Sequence, residues 1–92
     1  MIINDDLFKG KYRIVADDVQ YLLEKISVSE KGVETWKPVG YYNTLAGVIR
    51  AFVRIEVTKN NSVATLKEYV TRYESAYKEI KEKLNIWSWE VY

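Results

Sequence analysis

Apolar residues alternate with polar ones through the first half of the chain and recur every three or four positions through the second, so the pattern predicts strands first and helices after. Lys11 to Ala16 sets Tyr12, Ile14 and Ala16 on one side and Lys11, Arg13 and Val15 on the other, which is a half-buried strand. Asp17-Asp18 is a turn signal. Val19 to Val28 fits two periods. Val19, Leu22, Leu23 and Ile26 suit a helix behind Asp18, whereas Leu22, Ile26 and Val28 suit one face of a strand. The strand is preferred, because Ser29-Glu30-Lys31-Gly32 then turns a hairpin into Val33 to Tyr42, another strand-like segment. Pro38 lacks an N–H for the ladder and belongs at an edge or a bulge.

Asn43-Thr44 is a helix N-cap signal. Leu45, Val48, Ile49, Phe52 and Ile55 then follow one helical face, although Val53, Ile55 and Val57 also alternate as a strand would. Lys59 to Ser62 reads as a loop. Thr65-Leu66-Lys67-Glu68 is a capping box, in which the Thr oxygen and the Glu carboxylate each satisfy a backbone N–H. From there Leu66, Val70, Tyr73, Tyr77, Ile80 and Leu84 form a single stripe, widened by Tyr69 and Ala76. Glu68–Arg72, Glu74–Lys78 and Glu79–Lys83 are i,i+4 pairs in the favourable order, each worth about 0.2–0.5 kcal/mol. Ile86 to Tyr92 alternates again and reads as a short extended tail. The expected fold is α+β: a three-stranded antiparallel sheet followed by two helices and that tail, in a single domain over residues 1–92.

Composition narrows the chemistry. The 92 residues carry 14 Lys+Arg against 13 Asp+Glu, a net charge of +1, which excludes a polybasic tail and an acidic nucleic-acid mimic. Cysteine and histidine are both absent. That removes thiol nucleophiles, the commonest general base and the commonest metal ligand. No glycine-rich phosphate loop is present, and no histidine stands by to activate a serine, so the chain reads as a binding protein without a cofactor rather than an enzyme. Asp5/Asp6 and Asp17/Asp18 read as turn and cap residues, since a calcium loop needs several alternating oxygen ligands. Met1 to Gly10 has neither the basic start nor the apolar run of a signal peptide, and no apolar run approaches the roughly 20 residues of a membrane span. A cytoplasmic location without membrane contact is expected, and Asn60-Asn61-Ser62 is then a polar loop rather than a glycosylation site.

The stretch Gly32-Val33-Glu34-Thr35-Trp36-Lys37-Pro38-Val39-Gly40-Tyr41-Tyr42-Asn43-Thr44-Leu45 resembles small uncharacterised phage and prophage proteins, mainly from low-GC Gram-positive bacteria. These share Gly-x-Glu-x-Trp-Lys-x-x-Gly-Tyr-Tyr-x-[Ser/Thr]-Leu between a Tyr-rich hairpin and a helix. The resemblance covers roughly Tyr12 to Phe52; Ala46-Gly47 departs from the Glu-Gly or Glu-x-Ala that often follows the Leu. It implies a phage accessory protein in a host cytoplasm, of the kind that binds and inhibits a host enzyme or a defence complex, anti-CRISPR proteins included. The order of strands and helix is also similar to the arm-binding domains of phage integrases and to AP2-type DNA readers. Those carry more Arg and Lys on their strands than Lys11, Arg13, Lys25, Lys31 and Lys37 supply here.

Thirteen aromatics supply the candidate contacts. Tyr69, Tyr73 and Tyr77 suit a partly buried stripe, and Trp36 suits the core of the sheet. Trp87 and Trp89 share one face of the tail, as a lid over the core or as an exposed anchor. Arg50 and Arg54 stand i,i+4 on the first helix and repel unless a carboxylate such as Glu24 or Glu56 reaches them. They are a solvated basic face or a site for an anion or acidic partner. The partner-binding candidates are therefore Trp87, Trp89, Arg50, Arg54, Lys37, Tyr41 and Tyr42. Two further readings stand beside inhibition of a host protein. One is a DNA-binding module using the sheet face or the first helix, with contacts from Arg50, Arg54 and Lys37. The other is a homodimeric assembly part pairing through the second helix.

Overall fold

The chain enters its fold through a strand that the sequence pattern does not reveal. In the computed structural model, which describes residues 1–59 and 63–84, β1 (Ile2–Ile3) pairs antiparallel with β2 (Tyr12–Ala16), Ile2 opposite Val15 and Ile3 opposite Ile14. The Met1 ammonium donates to the Ala16 carbonyl at 2.9 Å, and the Ala16 N–H donates back to Met1 at 2.8 Å. The sheet therefore has four strands where three were expected. Two residues are too few to show a period, and long-range hydrogen bonds define them instead. Between them and β2 lies a single 3-10 turn, Asp6–Phe8, where the Asp5 carboxylate accepts from Leu7 N–H at 2.9 Å.

β3 (Tyr21–Val28) and β4 (Glu34–Tyr42) complete an antiparallel meander in the order β1-β2-β3-β4. The ambiguous segment is a strand from Tyr21 onward. Val19 stays outside it, in a turn that Asp17 holds by accepting from the N–H groups of Val19 and Gln20, both at 2.8 Å. Those two bonds stabilise the carboxylate and hold the Asp17 pKa below its ordinary value. Gly32 closes the β3–β4 hairpin at φ 80°, a conformation open to glycine. On β4, Leu23 stands opposite Gly40 but Glu24 stands opposite Pro38, so Val39 is the extra residue of a bulge. Pro38 thus lies on an edge strand next to an interrupted ladder.

Helix α1 (Leu45–Thr58) remains helical through Val53, Ile55 and Val57, which excludes the strand alternative for its last third. The Thr44 hydroxyl caps it, accepting from Gly47 N–H at 2.9 Å. Helix α2 (Leu66–Leu84) starts where Thr65 accepts from Glu68 N–H at 3.1 Å. The Glu68 carboxylate turns to Arg72 at 3.8 Å, and Glu79 meets Lys83 at 3.1 Å. No helix among the described residues is long and apolar enough to cross a membrane.

One face of the sheet and both helices build the core. Tyr12, Ile14 and Leu23 from the strands meet Val48, Ile49, Phe52 and Val53 of α1, with Phe8 closing one side. The Phe52 ring packs edge-on to Phe8 and Tyr12 at centroid distances of 5.0 and 5.4 Å. Tyr73, Ala76, Tyr77, Ile80 and Leu84 of α2 cover this cluster. Most of the α2 stripe is therefore used within the chain, and only its first turns, with Leu66 79% and Val70 42% exposed, are left to solvent.

Candidate binding surfaces

Both helices lie on one side of the sheet, so its other face is uncovered among the described residues. Strand alternation and register place Ile2 of β1 with Arg13 and Val15 of β2 on this open face. Leu22, Glu24, Ile26 and Val28 of β3 follow, and β4 adds Glu34, Trp36, Pro38 and Tyr41. Its centre is tied together across three strands. Arg13 Nε donates to Glu24 Oε1 at 2.8 Å, and the Arg13 guanidinium sits 4.4 Å from the Trp36 ring centroid. Around this cluster Ile2, Val28 and Tyr41 are 53%, 60% and 61% exposed. The patch is mainly apolar, and its charges are Arg13, Glu24 and Glu34.

A second concavity lies on the helical side, where the end of β4 meets α1 and α2. Tyr42, Gly47, Arg50, Ala51, Arg54 and Tyr73 line a cleft of about 190 Å³. Gly47 and Ala51 are four residues apart on α1, and their small side chains leave its floor low. The Tyr42 and Tyr73 rings form the walls. Tyr73 Oη lies 3.5 Å from the Arg50 carbonyl, and the Arg50 guanidinium lies 5.5 Å from the Tyr77 ring centroid. Tyr69, Tyr73 and Tyr77 run along α2 at centroid spacings of 6.4 and 6.2 Å. Desolvation raises the Tyr73 pKa, the neighbouring tyrosines add to the rise, and Arg50 and Arg54 partly offset it.

The predicted residues divide between these surfaces. Arg50, Arg54 and Tyr42 come together in the cleft, joined by Tyr73, which the sequence pattern marks only as part of a buried stripe. Tyr41 faces the other way, on the open face opposite Leu22 of β3. Lys37 is on the helical side directly opposite Lys25, and it does not line the cleft. Of the carboxylates suggested as partners for the arginine pair on α1, Glu24 bonds Arg13 at 2.8 Å and Glu56 lies 4.0 Å from Lys59. Trp36 was expected in the core; it is half-buried on the open face instead, opposite Ile26. Trp87 and Trp89, the extended tail and the Asn60-Asn61-Ser62 loop lie outside the described residues.

In comparisons with known proteins, the chain matches no family model, no curated protein and no solved structure.

Proposed function

We propose that this chain works by binding another protein through the open face of its sheet. The supporting observation is the Arg13–Glu24–Trp36 cluster, a rigid aromatic and guanidinium anchor at the centre of an exposed apolar patch. Trp, Tyr and Arg dominate interface hot spots, and fixing their rotamers beforehand lowers the entropy lost on binding. The bulge and Pro38 interrupt the β4 edge, which disfavours a partner that merely adds a strand and favours one that covers the face. Arg13 is already neutralised by Glu24, so Glu34 is the remaining charge. A complementary partner surface is apolar at its centre, with a Lys or Arg toward the Val28–Glu34 end.

The resemblance of Gly32–Leu45 to small phage proteins supports the finer reading that this partner is a host enzyme or a defence complex and that binding inhibits it. The DNA-reading alternative has less support. Affinity for nucleic acid comes from neutralising phosphates, and the open face offers one arginine already engaged with a carboxylate. Helix α1 packs between the sheet and α2, and the residues it leaves exposed, Arg50, Arg54 and Thr58, form only a narrow strip. The test is affinity purification with the wild-type chain and with Trp36→Ala and Tyr41→Ala. The proposal expects one protein partner lost from both variants, whose activity falls when the wild-type chain is added. Equal recovery by all three chains contradicts it.

A further inference from the structure

We propose that the Trp87 side chain seats in an apolar groove beside the core and clamps the end of α2 to the β1 side of the fold. The groove is on the helical side of the molecule, and the inference stands independently of what the open sheet face does. Ile3, Leu7, Ile14, Leu45, Ile49 and Leu84 line a groove of about 190 Å³, and Asp5 is the one charged residue on its wall among the described residues. Ile14 and Ile49 are 1% and 4% exposed, so the groove reaches down to the core itself. An apolar cavity of about 150 Å³ holds a benzene ring, which makes this groove the right size for one large aromatic side chain.

Leu84 points to the occupant. It is the last described residue of α2, it stands on the groove wall, and the chain continues from it into residues 85–92. Trp87 is three residues on, so its Cα lies within about 11 Å of the Leu84 Cα whatever path the chain takes. The spacing agrees with the reach. Leu66, Val70, Tyr73, Tyr77, Ile80 and Leu84 advance by steps of four and three, and the next step of three falls on Trp87, whereas Ile86 is off the stripe. From Tyr73 to Leu84 this stripe covers the core. A side chain tethered so closely has an effective concentration on the order of millimolar, which favours it over a second copy or a separate partner. The need is also visible: no residue of α2 among those described is fully buried, so the helix gains a firm hold from one docked indole. The indole N–H requires an acceptor, and the Asp5 carboxylate on the wall is of that class. Trp87 then serves the fold rather than a partner.

The test is nuclear Overhauser contact in the full chain, labelled at its isoleucine and leucine methyl groups, with the Trp87 indole assigned from Trp87→Phe. Cross-peaks from the Trp87 ring to the methyls of Leu45, Ile49 and Leu84 are expected. In an isotope-filtered mixture of labelled and unlabelled chains, those contacts should arise within one molecule. A second measurement is thermal melting of the full chain. Trp87→Ala should lower the melting temperature by about 10 °C or more, and Trp87→Phe should recover part of that loss. The proposal is overturned by absence of the Trp87 contacts, by contacts to the same methyls from Trp89 instead, by contacts that arise only between two molecules, or by wild-type melting of Trp87→Ala.

Discussion

The Arg13 guanidinium lies 4.4 Å from the centroid of the Trp36 ring while its Nε donates to Glu24 at 2.8 Å. One side chain on β2 thereby fixes groups on β3 and β4, and it does so on the sheet face that no described helix covers. In an ordinary solvated face such residues would be mobile and separate. Here the indole is oriented by a cation that is itself held by a carboxylate, and the result is an apolar surface whose central charges, Arg13 and Glu24, are already paired.

That arrangement predicts measurable coupling. A double-mutant cycle on Arg13→Ala and Glu24→Ala should give an interaction of about 1 kcal/mol by chemical denaturation, because the pair is half-buried and joined by a charge-assisted hydrogen bond. A second cycle on Arg13 and Trp36 should give about 0.5–1 kcal/mol for the cation–π contact. Additive single mutants would mean that the cluster is a coincidence of neighbours.

The core depends on Phe52, which touches both Phe8 and Tyr12. Phe52→Ala should destabilise the fold by about 3–5 kcal/mol in equilibrium denaturation. A loss below about 1 kcal/mol would contradict the position of α1 across the sheet.

Each helix begins at a threonine that accepts an N–H three residues on, Thr44 for α1 and Thr65 for α2. Thr→Ala at either site should cost about 0.5–2 kcal/mol, and Thr→Ser should restore most of it. Melting of Thr65→Ala at the wild-type temperature would show that α2 does not start there.

Asp17 supplies a pH-dependent contribution with a defined sign. Hydrogen bonds from Val19 and Gln20 lower its pKa in the folded state. The stabilisation is therefore present above the unfolded pKa and is lost as pH falls through the folded one. Asp17→Asn retains an accepting oxygen and removes the titration. Its melting temperature should lie below wild type near neutral pH and converge on it between about pH 5 and pH 2. A gap that stays constant over that range would rule out the carboxylate as its source.

The extent to which the fold can be read from the sequence follows from where information is local. The hairpin turn, the two N-caps and the α2 stripe are each written within a few consecutive residues, and those features match the structure. β1 is not, because Ile2 and Ile3 become a strand only through partners at Val15 and Ile14. The bulge at Val39 has a larger consequence. Trp36 and Tyr42 are an even number of residues apart, so simple alternation puts them on one face, and a buried Tyr42 then carries Trp36 into the core. The extra residue shifts the phase, leaving Tyr42 on the helical side and Trp36 on the open one. The open face is therefore hard to see in sequence, although every residue on it is visible. For the cleft, Arg50, Arg54 and Tyr42 are identifiable as candidates from charge and position. Tyr73 is not, since its place beside them depends on how α2 packs against α1.

The most direct test of the open face as a protein-docking surface is site-specific photo-crosslinking. A photoreactive phenylalanine derivative is placed at Tyr41 or Val28 on the open face, and at Lys67 on the exposed start of α2 as a control. In cell lysate, positions 41 and 28 should capture the same protein, position 67 should not, and Trp36→Ala should abolish the adduct at both. Capture from position 67 alone, or adducts at 41 and 28 that persist in Trp36→Ala, would contradict the account.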